Sequence, residues 1–217
     1  MSRRKVSHKR RPGRPRGDAS GQRELLLDAA LACYARHGIT ASSVRSIATE
    51  AGVTPALFNY YFGSKESLLE AVVEERLLPV ISQMRQAIES AGTDPRAVAT
   101  EFVQGVHAAV ARHPWLPSLW VREILSEGGA LRDLLLDQLP PHVPRMLTER
   151  FAAAARSGEL SGELDPRLLV VSLVGLTLFP LAAAPIWRQL FDADDVDADA
   201  LMYHTLALLD RGIGGLA

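Results

Sequence analysis

The chain has one cysteine in 217 residues, and that scarcity excludes two architectures at once. Cys33 alone can neither close an internal disulfide nor supply a cysteine zinc site. It reads as a packed core thiol, with a redox sensor as the other reading. The histidines (His8, His37, His107, His113, His142 and His204) contain no i, i+4 pair of the kind that holds zinc. No nucleophile stands beside a base, and Gly13-Arg14-Pro15 is no phosphate loop, so an enzyme is not expected and no cofactor is implied. Strand-like alternation and internal repeats are missing as well. No apolar segment follows the basic N-terminus, so no signal peptide is expected.

Apolar material is plentiful. At 47% hydrophobic and 23% charged residues, the chain can build a sizeable core in one or two domains. Proline and glycine, from Pro79 through Gly92, Pro95, Pro114, Pro117, Gly128, Pro140, Gly158 and Pro166 to Gly212, cut the second part into helix-sized pieces. The expected fold class is all-α.

Charge is unevenly placed. The formal net charge is −1, yet residues 1–17 carry eight basic residues and no acid, which leaves 16 basic against 25 acidic residues in the remainder, or −9. Basic arms of this kind lie along nucleic acid. Within the arm, Pro12-Gly13-Arg14-Pro15-Arg16 is similar to the core of a minor-groove AT-hook, which points to Arg14 and Arg16 as groove contacts. The alternative is a disordered tail that adds only salt-sensitive attraction.

The densest signal is Ser43 to Lys65, SVRSIATEAGVTPALFNYYFGSK. Val44, Ile47, Ala48 and Ala51 fall on one face of a short helix, with Ser43 as N-cap and Gly52 where that helix must stop. Thr54 caps a second helix that starts at Pro55, where a missing N–H costs nothing. Upstream, Gln22 to His37 forms an amphipathic helix with Leu26, Ala29, Ala30, Cys33 and Tyr34 on its stripe. This is a helix-turn-helix. Its second helix offers Thr54, Pro55, Ala56, Leu57, Asn59 and Tyr60 to the major groove, where Asn59 can pair with adenine and the apolar groups can meet a thymine methyl. Ser42, Ser43, Arg45, Tyr61 and Lys65 are candidates for phosphate. Phe58 and Phe62 read as core. Tyr61 and Lys65 also have plain readings, as a packed ring and a solvated helix-start lysine.

The segment ITASSVRSIATEAGVTPALFNYYFGSKESLLEAV resembles the DNA-binding domain of the tetracycline-repressor (TetR) family of bacterial transcription regulators. The resemblance covers roughly residues 22–75. After the basic disordered arm that the charge pattern places over 1–19, it implies a helix-turn-helix domain over 20–66 and a helical ligand-binding and dimerisation domain over 67–217. It further implies a cytoplasmic homodimer, most simply a repressor, that reads a palindromic double-stranded operator and is released by a small apolar or amphipathic ligand. The helix from Ser67 to Arg85 would link the domains, and residues 166–211, as two long helices, would form the dimer interface. The charge-free run from Leu168 to Trp187 has the length of a membrane span, but Asp165-Pro166 is a normal helix start and Pro180 and Pro185 interrupt the run, so no membrane partner is expected. Phe102, His107, Trp115, Trp120, Glu123, Met146, Phe151, Phe179 and Trp187 are candidates to line the ligand site, against the alternative of ordinary core packing. The rival function is a sequence-tolerant DNA-structuring protein driven by the basic arm.

Overall fold

The computed structural model describes residues 19–134, 136 and 143–213, and every regular element in them is helical. The basic arm with Arg14 and Arg16, together with His8 and His142, lies outside the described residues. The first three helices are α1 (Ala19–His37), α2 (Val44–Glu50) and α3 (Pro55–Tyr61). The predicted stripe of α1 is buried, and so are Leu27 and Leu31. The reason is that α1 is packed on two sides, against α2 and α4 (Lys65–Val72) and against α7 (Leu116–Trp120). Cys33 is 2% exposed within this layer, and burial pushes its thiol pKa up, as for a packed core thiol.

The linking helix differs from its expected form. It begins at Lys65 rather than Ser67, passes through a π-helical turn at Val73–Leu77, and continues as α5 (Leu78–Ser90). The turn is closed by the N–H of Leu78 on the carbonyl of Val73. Pro79 does not cut the chain here, because the wide turn absorbs its missing donor within the first turn of α5.

The body is built from α6 (Pro95–Arg112), α7, α8 (Val143–Ser157), α9 (Pro166–Ala182), α10 (Ala184–Leu190) and α11 (Ala198–Ile213). Its core joins Phe102 and Val106 of α6, Leu147 and Phe151 of α8, Leu173 of α9 and Leu209 of α11. A second π-helical turn, Val121–Leu125, extends α7. The two long C-terminal helices were expected as Pro166 to Phe191 and Asp197 to Arg211, but the first is broken. Pro185 cannot donate to the preceding turn, so α9 ends at Ala182 and α10 leaves at 71°. The carbonyl of Pro180, left open by the break, accepts the indole N–H of Trp187 at 2.8 Å. No single helix among the described residues is long and apolar enough to cross a membrane.

Candidate nucleic-acid interface

The helix-turn-helix is held by its own caps. The Ser43 hydroxyl accepts the N–H of Ser46 at 3.0 Å, and the Ser46 hydroxyl accepts the N–H of Ser43 at 2.9 Å, a closed capping box. Gly52 takes φ +67°, a left-handed turn where a side chain would be strained. The Thr54 side chain then accepts the Leu57 N–H at 3.3 Å, and Pro55 opens α3. Phe58 of α3 and Ile47 and Ala48 of α2 are buried between the helices, which fixes their angle.

This packing leaves one side of α3 free. Thr54, Pro55, Ala56, Asn59 and Tyr60 are exposed, Leu57 is half-buried, and the Tyr60 ring, 68% exposed, stands edge-on to Tyr61 at 5.1 Å. Arg45 and Ser43 are exposed at the start of α2, beside this face. Two predicted phosphate contacts are otherwise engaged. Ser42 is 2% exposed and its hydroxyl donates to the carbonyl of Gly38 at 2.7 Å, so its side chain is spent on the loop before α2. The Lys65 ammonium donates to the carbonyl of Thr40 at 3.0 Å, tying the linking helix to the same loop.

Above this domain lies an apolar cavity of about 220 Å³. Of the predicted lining residues, Phe102, Trp115 and Trp120 face it. The other six do not. Phe151 is fully buried in the body core, Met146 packs against that core, and His107 is enclosed on α6 with its Nε2 lacking a partner. Phe179 and Trp187 line a separate outer groove with Phe191 and His204: Phe179 lies on another face of α9 from the cavity-lining Val174 and Leu178, and Trp187 lies beyond the break on α10. Glu123 is 4% exposed and is consumed by backbone donors: Oε1 accepts Ile39 N–H at 2.8 Å and Oε2 accepts Ala130 N–H at 3.0 Å. The lining that sequence analysis missed is aliphatic. It includes Val73, Leu77, Val80, Ile81 and Met84 of the linking helix, and Leu119, Ile124, Leu131 and Leu134 of the segment that follows α6. Hydrophobic periodicity was the only signal for these residues, and it is shared with any core position.

Among the described residues, no group of three or more His, Cys, Asp or Glu side chains could hold a metal ion.

Residues 26–72 match the family model described as bacterial regulatory proteins, tetR family. Over 149 residues the chain is 26% identical to the HTH-type transcriptional repressor KstR2 of Rhodococcus jostii (strain RHA1), covering 69% of this chain and 72% of that protein. It spans about half the length of the BetI regulators it also matches. The solved ketosteroid transcriptional regulator KstR2 of Mycobacterium tuberculosis shares the fold with a TM-score of 0.69 at 20% identity, covering 94% of this chain and 100% of that one. FadR from Bacillus subtilis in complex with stearoyl-CoA does so with a TM-score of 0.63 at 22% identity, over 88% of this chain and 98% of that one. These are transcription regulators, not enzymes. Together with the capped helix-turn-helix, the matches show that residues 26–72 carry the DNA-binding domain of the tetracycline-repressor (TetR) family of bacterial transcription regulators.

Proposed function

We propose that this protein is a one-component repressor whose homodimer grips a two-fold symmetric operator and lets go when a small, mostly apolar ligand enters the cavity. The division into a basic arm, a DNA-binding domain over 20–66 and a ligand-binding and dimerisation domain over 67–217 is part of this reading. So is the assignment of Ala56, Asn59 and Tyr60 to base edges and of Ser43 and Arg45 to phosphate.

The observation that carries the reading is the shared wall. Val73, Leu77, Val80, Ile81 and Met84, which face the cavity, lie on the same continuous helix whose first residue, Lys65, holds the loop before α2. At about 220 Å³ the cavity is smaller than an ordinary ligand pocket of roughly 300–1,000 Å³. A ligand of ordinary size would overfill this space and press on its walls, of which the linking helix is one. Release of DNA requires that the ligand bind the displaced conformation more tightly than the DNA-competent one. The wholly uncharged lining favours an apolar molecule or the apolar part of an amphiphile. The stearoyl-CoA complex of FadR and the ketosteroid transcriptional regulator KstR2 support the same class.

Selection of duplexes from a random-sequence pool tests the function. A palindromic consensus bound by two protomers, and retained against unrelated competitor DNA, is the expected result. Equal binding to every duplex that vanishes at higher salt would favour the DNA-structuring alternative instead.

A further inference from the structure

A carboxylate buried without a cation is costly, and the Glu123 side chain is such a group. It is 4% exposed, and among the described residues it forms no ion pair. Desolvating a carboxylate is unfavourable unless strong hydrogen bonds replace the lost water. Here they are spent across two domains. One oxygen takes the Ile39 N–H at 2.8 Å, in the loop between α1 and α2, and the other takes the Ala130 N–H at 3.0 Å. The backbone carbonyl of the same residue accepts Leu131 N–H at 3.2 Å.

Both ends of this junction are fitted closely. A side chain on Gly38 would bring a Cβ within 3.0 Å of Glu123 Oε1, and one on Gly129 would bring it within 2.4 Å of the Glu123 carbonyl oxygen. On the cavity side, Trp120, Ile124, Leu131 and Leu134, which flank Glu123 and its bonded loop, line the apolar cavity. On the DNA side, the carbonyl of Gly38 holds the Ser42 hydroxyl at 2.7 Å, and Ser43 caps α2. No residue in this chain of contacts lies on the linking helix.

We propose that Glu123 is a positioning residue through which the cavity wall opposite the linking helix sets the helix-turn-helix, a second route of ligand response that acts on the loop before α2. The proposal rests on the ligand-responsive reading given above. A ligand that pushes the segment carrying Trp120, Ile124 and Leu131 outward carries Glu123 with it. The bond to Ile39 then opens, and the loop that anchors α2 loses its hold.

The test uses the full chain, an operator selected by the parent from a random pool, and decanol as probe, with occupancy read from the fluorescence of Trp115 and Trp120. In the parent, saturating decanol should weaken operator binding by about tenfold, within the usual range of allosteric coupling. In Glu123→Gln, whose amide cannot accept from both N–H groups, decanol should bind within about twofold of the parent while operator binding changes by less than about threefold. An identical decanol response in parent and variant overturns the role of Glu123 alone. A parent that binds decanol with no change in operator affinity overturns the ligand-responsive reading and this proposal with it, as does failure of decanol to bind. Amide exchange in the parent supplies a measurement that needs no variant. Decanol should speed exchange at Ile39 and Ala130 together while leaving Ala51, bonded within its own domain to Ile47, unchanged. Unaltered exchange at Ile39 with the cavity filled overturns the proposal.

Discussion

Arg23 and Glu75 face each other as a two-pronged ion pair, Nη1 on Oε2 at 2.6 Å and Nη2 on Oε1 at 2.5 Å. The pair joins α1 to the π-helical turn of the linking helix. Arg23 also stands over the ring of Phe62 at 5.1 Å, and the neighbouring Arg76 bridges Glu24 and Asp28 of α1. The DNA-binding domain is thus fastened to the linking helix along two turns of α1 and should follow it as one body.

The hydrogen bonds from Arg23 hold the Glu75 carboxyl below the usual carboxylate range. A depressed native pKa means stability that is present above the ordinary carboxylate pKa and lost as pH falls through the native one. Both side chains are about one-third exposed, so solvent screening limits the pair to about 1 kcal/mol. Glu75→Gln should therefore melt about 2–4 °C lower than the parent at neutral pH. The gap should close in melts taken below the carboxylate range, and a gap that is the same at every pH would show that the charge contributes nothing.

On α3, Asn59 projects from the free face while Lys65 is bonded to the loop before α2. Asn59→Ala should change which operator bases matter in a base-by-base scan, with a cost of about 1–3 kcal/mol confined to one position per half-site. Lys65→Ala should weaken binding to all duplexes alike, because it releases the loop rather than a base contact. A uniform loss for Asn59→Ala would remove it from base readout.

The helix-turn-helix was legible because its determinants are local. Ser43, Gly52, Thr54 and Pro55 each act on backbone groups within four residues, and residue type alone names the job. The cavity was not legible, since Val80, Val106 or Val174 looks the same in a sequence whether it faces a void or a neighbour. Large aromatics misled for the same reason: size predicts burial, not which side of a helix faces the ligand, and Phe151 went to the core while Phe179 went outward. The bond between Glu123 and Ile39 spans 84 positions and leaves no trace in local pattern. The π-helical turns at Val73–Leu77 and Val121–Leu125 have no sequence signature that sets them apart from α-helix.

Val106 is 2% exposed and lines the cavity together with Trp115 and Trp120. Val106→Phe should fill the void and weaken decanol binding at least about tenfold, at an overpacking cost of about 1–3 kcal/mol. Tryptophan fluorescence titration measures the first and urea denaturation the second. Unchanged decanol affinity would place the probe elsewhere.

His107 is 8% exposed with Nε2 unpartnered, and burial holds its pKa below 6.5 despite the opposing charge of Asp199. His113 is lowered in the same way by burial, then by Arg112 and Arg76. For a base with a lowered native pKa, the unfolded chain binds the proton more tightly, so stability is complete above the ordinary value and declines as pH falls below it. Urea midpoints should therefore drop between pH 7.5 and pH 5.5, near the ordinary histidine pKa of about 6.5. His107→Gln should flatten part of that slope and His113→Gln more of it. A slope untouched by both would assign acid sensitivity to other groups.

Helix α9 is apolar on both sides, and among the described residues one side is buried in the body while the other is largely exposed. Leu169, Val170, Leu173 and Leu178 are buried in the body, while Leu168, Val171 and Phe179 are 64–66% exposed. Tyr203 of α11 adds to the outward surface at 66%, as do Ile186 and Leu190 of α10 at 70% and 69%. Exposed apolar side chains gathered on neighbouring helices are the mark of an interface, and a second copy that presents the same face would cover them by two-fold symmetry. The same symmetry would set two α3 helices against the two halves of a palindrome. Val171→Asp should leave the monomer fold intact, because the residue contacts solvent there, and should convert the protein from dimer to monomer in sedimentation equilibrium. Operator binding should fall with it, since each half-site would then be held alone. A Val171→Asp protein that remains dimeric would move the interface off α9 and leave its outward face without a function.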